Sequence, residues 1–131
     1  MNKFEESMKN LVLESSLSEH ETIEVINIDF DIETLTVTVI IDGEKIDISF
    51  DSPSGYRVLD EGDLLEFWPS CSTNNGWLYE ITIGGWLDQE RKRKGFVSGA
   101  RTEVKEYFII GCNYCVNVFG WEAPSVSASI R

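Results

Sequence analysis

Cys112 and Cys115 form a Cys-x-x-Cys pair, and Cys71 and His20 are the only other cysteine and the only histidine in the 131 residues. Structural zinc needs four ligands, which three cysteines and one histidine would just supply. His20, however, is remote from the cysteines in sequence, and there is no second Cys-x-x-Cys. No metal and no other cofactor is expected. Thiol–disulfide chemistry would need the pair at a helix N-terminus, where the thiol pKa falls. This pair instead separates two strand-like runs, so packing cysteines near a hairpin are expected. With a single histidine, any Ser-His-Asp or Cys-His site rests on His20, which stands between Glu19 and Glu21 and reads as a capping or surface residue. Asp60, Glu61 and Asp63 could approach a divalent ion but fall short of a calcium loop. A carboxylate pair can be drawn at will from 23 acids, and Gly84-Gly85 is no phosphate cradle. The chain is not expected to be an enzyme.

The charge is more informative. Seventeen of the 23 acids lie in the first 66 residues against Lys3, Lys9, Lys45 and Arg57, and the remaining 65 residues hold six acids and seven bases. The first half thus carries −13 of a total net charge of −12. Such a surface repels nucleic acid and anionic membrane and attracts a basic protein. Four Trp, seven Phe and four Tyr within 42% hydrophobic residues are ample for a core, which excludes disorder. No apolar run approaches a membrane span, the N-terminus lacks the apolar stretch of a secretory signal, and an odd cysteine count suits a reducing compartment. A cytoplasmic domain spanning 1–131 is expected.

The elements that must carry this charge follow from periodicity. Phe4, Met8, Leu11 and Val12 recur at helical spacing, which predicts an amphipathic helix over 2–19 packed on a sheet. Three alternating runs follow: Ile26, Ile28, Phe30; then Leu35, Val37, Val39, Ile41; then Ile46, Ile48, Phe50. They predict a three-stranded meander within 22–51. Its second turn can place either Asp42-Gly43 or Gly43-Glu44 centrally. Its first, around Asp31–Thr34, lacks glycine, so a longer loop is expected there. A second half of the sheet is expected over 56–121. It includes a helical turn near Leu64–Trp68, a strand over 77–83, a central strand at Glu106–Ile110 and a partner at Val116–Phe119, before a frayed tail over 122–131. The fold expected is α+β: a curled antiparallel sheet of about six strands with an N-terminal helix packed on it.

On this pattern the meander's outward face gathers Asp29, Asp31, Asp47 and Asp51 around Ile40, an apolar residue in the polar phase. That is the arrangement of an interface anchor with a charged rim, or equally of an ordinary solvated face. Asp60, Glu61 and Asp63 make a second acidic patch. The basic run Arg91-Lys92-Arg93-Lys94 lacks interleaved aromatics and reads as a solvated loop. Its other use would be to contact the acidic half of a second copy, giving a weak homo-oligomer.

The stretch Gly55-Tyr56-Arg57-Val58-Leu59-Asp60-Glu61-Gly62-Asp63-Leu64-Leu65-Glu66-Phe67-Trp68 resembles a segment of small immunity proteins from bacterial contact-dependent growth inhibition and polymorphic toxin systems. The strand ending in Gly84-Gly85-Trp86 and the late hairpin from Tyr107 through Val116-Asn117-Val118 to Glu122-Ala123-Pro124 are also similar. Together these cover about half of the chain. The resemblance implies a cytoplasmic protein that binds a cognate toxin domain and blocks it. It transfers no active-site residues, since each immunity protein contacts its toxin in its own way. Many such toxins are nucleases with basic active sites, which an acidic partner would suit. The alternatives are a small-ligand-binding barrel lined by Trp68, Trp77, Tyr79, Trp86 and Trp121, and an acidic mimic of nucleic acid.

Overall fold

The computed structural model describes residues 8–14, 21–97, 101 and 103–128. Over these the chain is almost entirely β. Nine strands run β1 (Lys9–Glu14), β2 (Ile23–Phe30), β3 (Thr34–Ile41), β4 (Glu44–Asp51), β5 (Gly55–Asp60), β6 (Leu78–Ile83), β7 (Lys105–Ile109), β8 (Tyr114–Gly120) and β9 (Ser125–Ala128). They form a five-stranded antiparallel sheet in the order β1-β6-β7-β8-β5 and a four-stranded one in the order β2-β3-β4-β9. A 3-10 turn spans Glu61–Asp63, and one short helix, α1, spans Trp86–Glu90. The expected α+β fold with a single curled sheet is therefore wrong. Two flat-facing sheets take its place, and the described helix is central in sequence rather than N-terminal.

The predicted helix fails for a definable reason. Residues 9–14 form an edge strand that pairs with β6 through Val12↔Tyr79 and Glu14↔Leu78, interrupted by two bulges. Leu11 and Val12, assigned to the helix's buried stripe, are exposed, while Leu13 packs on the core. Pairing satisfies the backbone of β6, which would otherwise be an open edge, and this outweighs a local helical spacing. Residues 2–7 and 15–19 of that prediction, and His20, lie outside the described residues. The tail read as frayed also contains a strand: β9 pairs with β4 through Ile48↔Val126 and Asp47↔Ser127.

The meander is present as β2–β4. Leu35, Val37, Val39, Ile41, Ile48 and Phe50 face Tyr107, Ile109, Val116 and Val118 of the other sheet, forming one buried core between the sheets. Asp42 and Gly43 both take positive φ (49° and 82°), the type I′ pattern, and Ile41 pairs with Glu44 across them. The first turn is tighter than expected. Asp31 N–H donates to the Thr34 carbonyl at 3.2 Å, and Ile32 adopts φ 83°. In β2 a bulge at Ile26, between the pairs Val25↔Val39 and Asn27↔Thr38, shifts the alternation by one residue.

The five-stranded sheet is covered on both faces. Its second face packs Tyr79, Ile81, Phe108 and Cys115 under Leu64, Phe67 and Cys71 of the segment following β5, with Phe67 stacked on Phe108 at 4.5 Å. Beside this, α1 and the loop after it bring Trp86, Leu87 and Phe96 onto Val104, Phe119 and Trp121. Two buried polar residues, Glu106 and Asn117, meet here. Glu106, on β7 and only 1% exposed, accepts bonds from the Leu87 N–H and the Asn117 Nδ2, both at 2.8 Å. Asn117 Oδ1 in turn accepts from Arg57 Nε at 3.1 Å, and the Arg57 guanidinium lies 4.8 Å over the Trp86 ring. The Gly84-Gly85-Trp86 run thus has a packing role. A Cβ on Gly85 would stand 2.5 Å from Glu106 Oε1, so only glycine lets the start of α1 reach that carboxylate.

Candidate protein-binding surfaces

The outer face of the four-stranded sheet collects the residues expected from the alternation. Its rows, read across the strands, are Thr34–Asp51; Asp29–Thr36–Ser49–Ser125; Asn27–Thr38–Asp47–Ser127; and Glu24–Ile40–Lys45. Asp29, Asp47, Asp51 and Ile40 therefore do share a face, but not as a ring. Ile40 stands between Glu24 and Lys45, and Asp47 Oδ1 accepts the hydroxyl of buried Thr38 at 2.6 Å. Thr36 and Ser49 share a hydroxyl bond at 3.3 Å. The face is largely small hydroxyl side chains, with Asp29 and Asp51 exposed at the end nearest the first turn. Asp31 belongs to that turn: its Oδ1 accepts from Glu33 N–H at 3.0 Å and Thr34 N–H at 2.7 Å, an aspartate turn that fixes the hairpin.

The second acidic group sits on the other sheet. Asp60 ends β5, and its Oδ1 accepts from Gly62 N–H at 2.8 Å to begin the 3-10 turn holding Glu61 and Asp63. The Glu61 carbonyl accepts from Trp68 Nε1 at 3.1 Å. Glu61 and Trp68 border a cleft of about 370 Å³ whose far wall is Ile110–Cys112. The structure does not join this group to the outer face of the four-stranded sheet.

The remaining candidates separate as well. Cys112 is exposed, whereas Cys115 and Cys71 are buried in the core between the five-stranded sheet and the segment after β5. Burial pushes the Cys71 thiol up to about 12 and the Cys115 thiol up to about 11. No trio of His, Cys, Asp or Glu among the described residues could hold a metal ion. Burial also holds the Glu106 carboxyl above its ordinary range, opposed chiefly by the Leu87 N–H bond. It lowers the Arg57 guanidinium against the pull of Glu106. Within the basic run, Arg91 pairs with Asp88 at 3.3 Å and Arg93 with Glu90 at 2.8 Å. Such exposed pairs add little stability; Lys92 and Lys94 point to solvent. The aromatics proposed to line a barrel interior fall into three separate clusters: Trp77 between the sheets, Tyr79 with Trp68 of the segment after β5, and Trp86 with Trp121 beside α1.

One surface has no counterpart among the expected sites. β2 is an edge of one sheet and β5 an edge of the other, and the two lie side by side at one margin of the sandwich. Ile26, Ile28, Val58 and Tyr114 line a shallow groove of about 380 Å³ there, and Phe30 meets Tyr56 edge-to-face at 5.5 Å. Ile32 follows at the tip, 78% exposed. Five of the nine exposed large hydrophobic residues among those described, Ile26, Phe30, Ile32, Val58 and Tyr114, belong to this margin. The alternation had placed Ile26 and Phe30 in the core. A shared run of apolar residues across two non-adjacent segments leaves no signal in either segment alone.

Comparison with known proteins finds no matching family model, no matching curated protein and no matching solved structure.

Proposed function

We propose that this chain is an immunity-type inhibitor: a cytoplasmic protein that binds a cognate toxin domain, a basic nuclease, and neutralises it by occupying it, with no catalysis or cofactor of its own. The observation that carries this reading is the separation of charge. Seventeen acids against four bases fall within residues 1–66, the part of the chain that supplies the meander, β5 and the 3-10 turn. A net negative surface of this kind raises the encounter rate with a basic partner, while a few desolvated contacts supply affinity. It also disfavours binding of the chain itself to nucleic acid or anionic membrane, and no described helix is long and apolar enough to cross a membrane.

The experiment is direct. The protein is mixed with the toxin domain encoded beside its gene, and binding is followed by calorimetry alongside the toxin's nuclease activity. The expected result is a stoichiometric complex whose association slows as salt rises, with loss of cleavage at equimolar inhibitor. No complex at micromolar concentration, in both low and moderate salt, would sink the reading.

A further inference from the structure

We infer that the margin between β2 and β5 is the docking edge for the toxin domain, and that its occupant is an extended, basic segment which adds as a strand to β2. This rests on the immunity reading above and names the surface and the partner chemistry.

Three observations converge. First, the β2 edge is closed at one end and open at the other. Cys112 N–H donates to the Ile23 carbonyl at 2.7 Å. Next to it, the Asn113 side chain imitates a strand residue, its Oδ1 accepting from Val25 N–H at 3.0 Å and its Nδ2 donating to the Val25 carbonyl at 2.9 Å. Beyond the bulge at Ile26 the edge-facing positions become Ile28 and Phe30, because Asp31 bonds inward to Thr34 and the phase alternates back from there. Among the described residues no backbone group bonds to that stretch. The open length is about 15 Å, room for roughly four or five residues of a partner strand. Secondly, such a strand would lay alternate side chains against Ile26, Ile28, Val58 and Tyr114, the groove already described. This is the usual division of labour in strand addition, with main-chain bonds for affinity and side-chain pockets for selection. Thirdly, the segments that supply the margin carry almost one sign of charge. Residues 23–34 and 55–61 hold Glu24, Asp29, Asp31, Glu33, Asp60 and Glu61 against a single base, Arg57, whose guanidinium is turned away onto Trp86. Apolar residues in one phase and Lys or Arg in the other would complement both features of the margin. A second copy of this acidic margin would meet like charge.

The test uses the full-length protein and the adjacent toxin domain. Backbone amide exchange of Ile28 and Phe30 is measured free and in complex, and affinities are measured for Val58→Lys and for Ser49→Lys on the outer face of the four-stranded sheet. Both substitutions add one positive charge, so general electrostatics is matched. The expected result is slowed exchange at Ile28 and Phe30 on complex formation, at least tenfold weaker binding for Val58→Lys and no more than a twofold loss for Ser49→Lys. A complex that leaves those amides unprotected, or equal losses for the two variants, overturns this docking edge while the immunity reading stands. If the unsubstituted proteins form no complex, the immunity reading fails and takes this one with it. A free protein that is dimeric with both amides already protected would assign the edge to a second copy and overturn the proposal. The exchange measurement needs no variant, so it decides even if Val58→Lys folds poorly.

Discussion

Ile32 should be a site where replacement stabilises the protein. It is an L-residue with a branched β-carbon held at φ 83°, a region that costs L-residues roughly 1–2 kcal/mol and is a genuine outlier for branched side chains. The side chain is 78% exposed, so removing it forfeits little burial. Replacement by glycine removes the steric cost but loosens the unfolded chain, at roughly 0.5–1 kcal/mol. The net expectation for Ile32→Gly is a gain of about 0.5–1 kcal/mol, which for a chain of this size raises Tm by about 2–4 °C. Ile32→Asn tolerates positive φ without glycine's entropy and should gain at least as much, whereas Ile32→Val keeps the branch and should change little. Urea and thermal unfolding followed by circular dichroism would read all three. If glycine and asparagine both leave the midpoint unchanged or lower it, the turn is not strained as described. Ile32 is thus an apolar residue whose backbone strain is offset by little burial.

Two further outcomes follow from buried groups. Glu106 has a folded-state pKa raised above its ordinary 4.5 by burial, so the folded state holds its proton to higher pH than the unfolded state does. Stability from this group is then present at low pH and lost as pH rises from about 4.5 through the folded-state value. The wild type should lose stability relative to Glu106→Gln over that window, and urea titrations at pH 4 and 7 giving a flat or opposite difference would refute the assignment. Iodoacetamide at pH 8 should label Cys112 alone in the native protein. The thiols of Cys71 and Cys115, raised to about 12 and about 11 by burial, should label only in denaturant, and more than one adduct on the native mass would contradict this.

Where side-chain period and turn chemistry agree, the fold was readable: Leu35 to Phe50 and the Asp42-Gly43 turn are a hairpin in both sequence and structure. The errors occur where a distant partner decides. Residues 9–14 carry a helical spacing and become a strand because β6 needs a neighbour. Ser125–Ala128 offers one inward apolar residue, Val126, and its pairing with β4 could not be seen locally. The bulge at Ile26 turns a regular alternation into one that exposes part of it. Of the candidate site, the shared face of Asp29, Asp47 and Asp51 was legible from period two alone. The margin between β2 and β5 was not, because it exists only once β5 has found β8 through pairs such as Val58↔Val116. Nor did anything in the run Glu106–Ile110 mark Glu106 as the acceptor for the start of α1, although Gly84-Gly85 was the trace of it.

The strand order has a kinetic consequence. The β2–β3–β4 meander and the β7–β8 hairpin join neighbours in sequence, but β1 with β6, β5 with β8 and β4 with β9 join a terminal or late segment to one from the middle of the chain. Those three closures carry the loop entropy, so the meander and the hairpin can assemble early while the sandwich waits on the slow, non-local pairings. Until β9 arrives, the β4 side of the meander is a second bare edge. The charge repulsion that dominates residues 1–66 would keep those half-built sheets apart from one another during that interval.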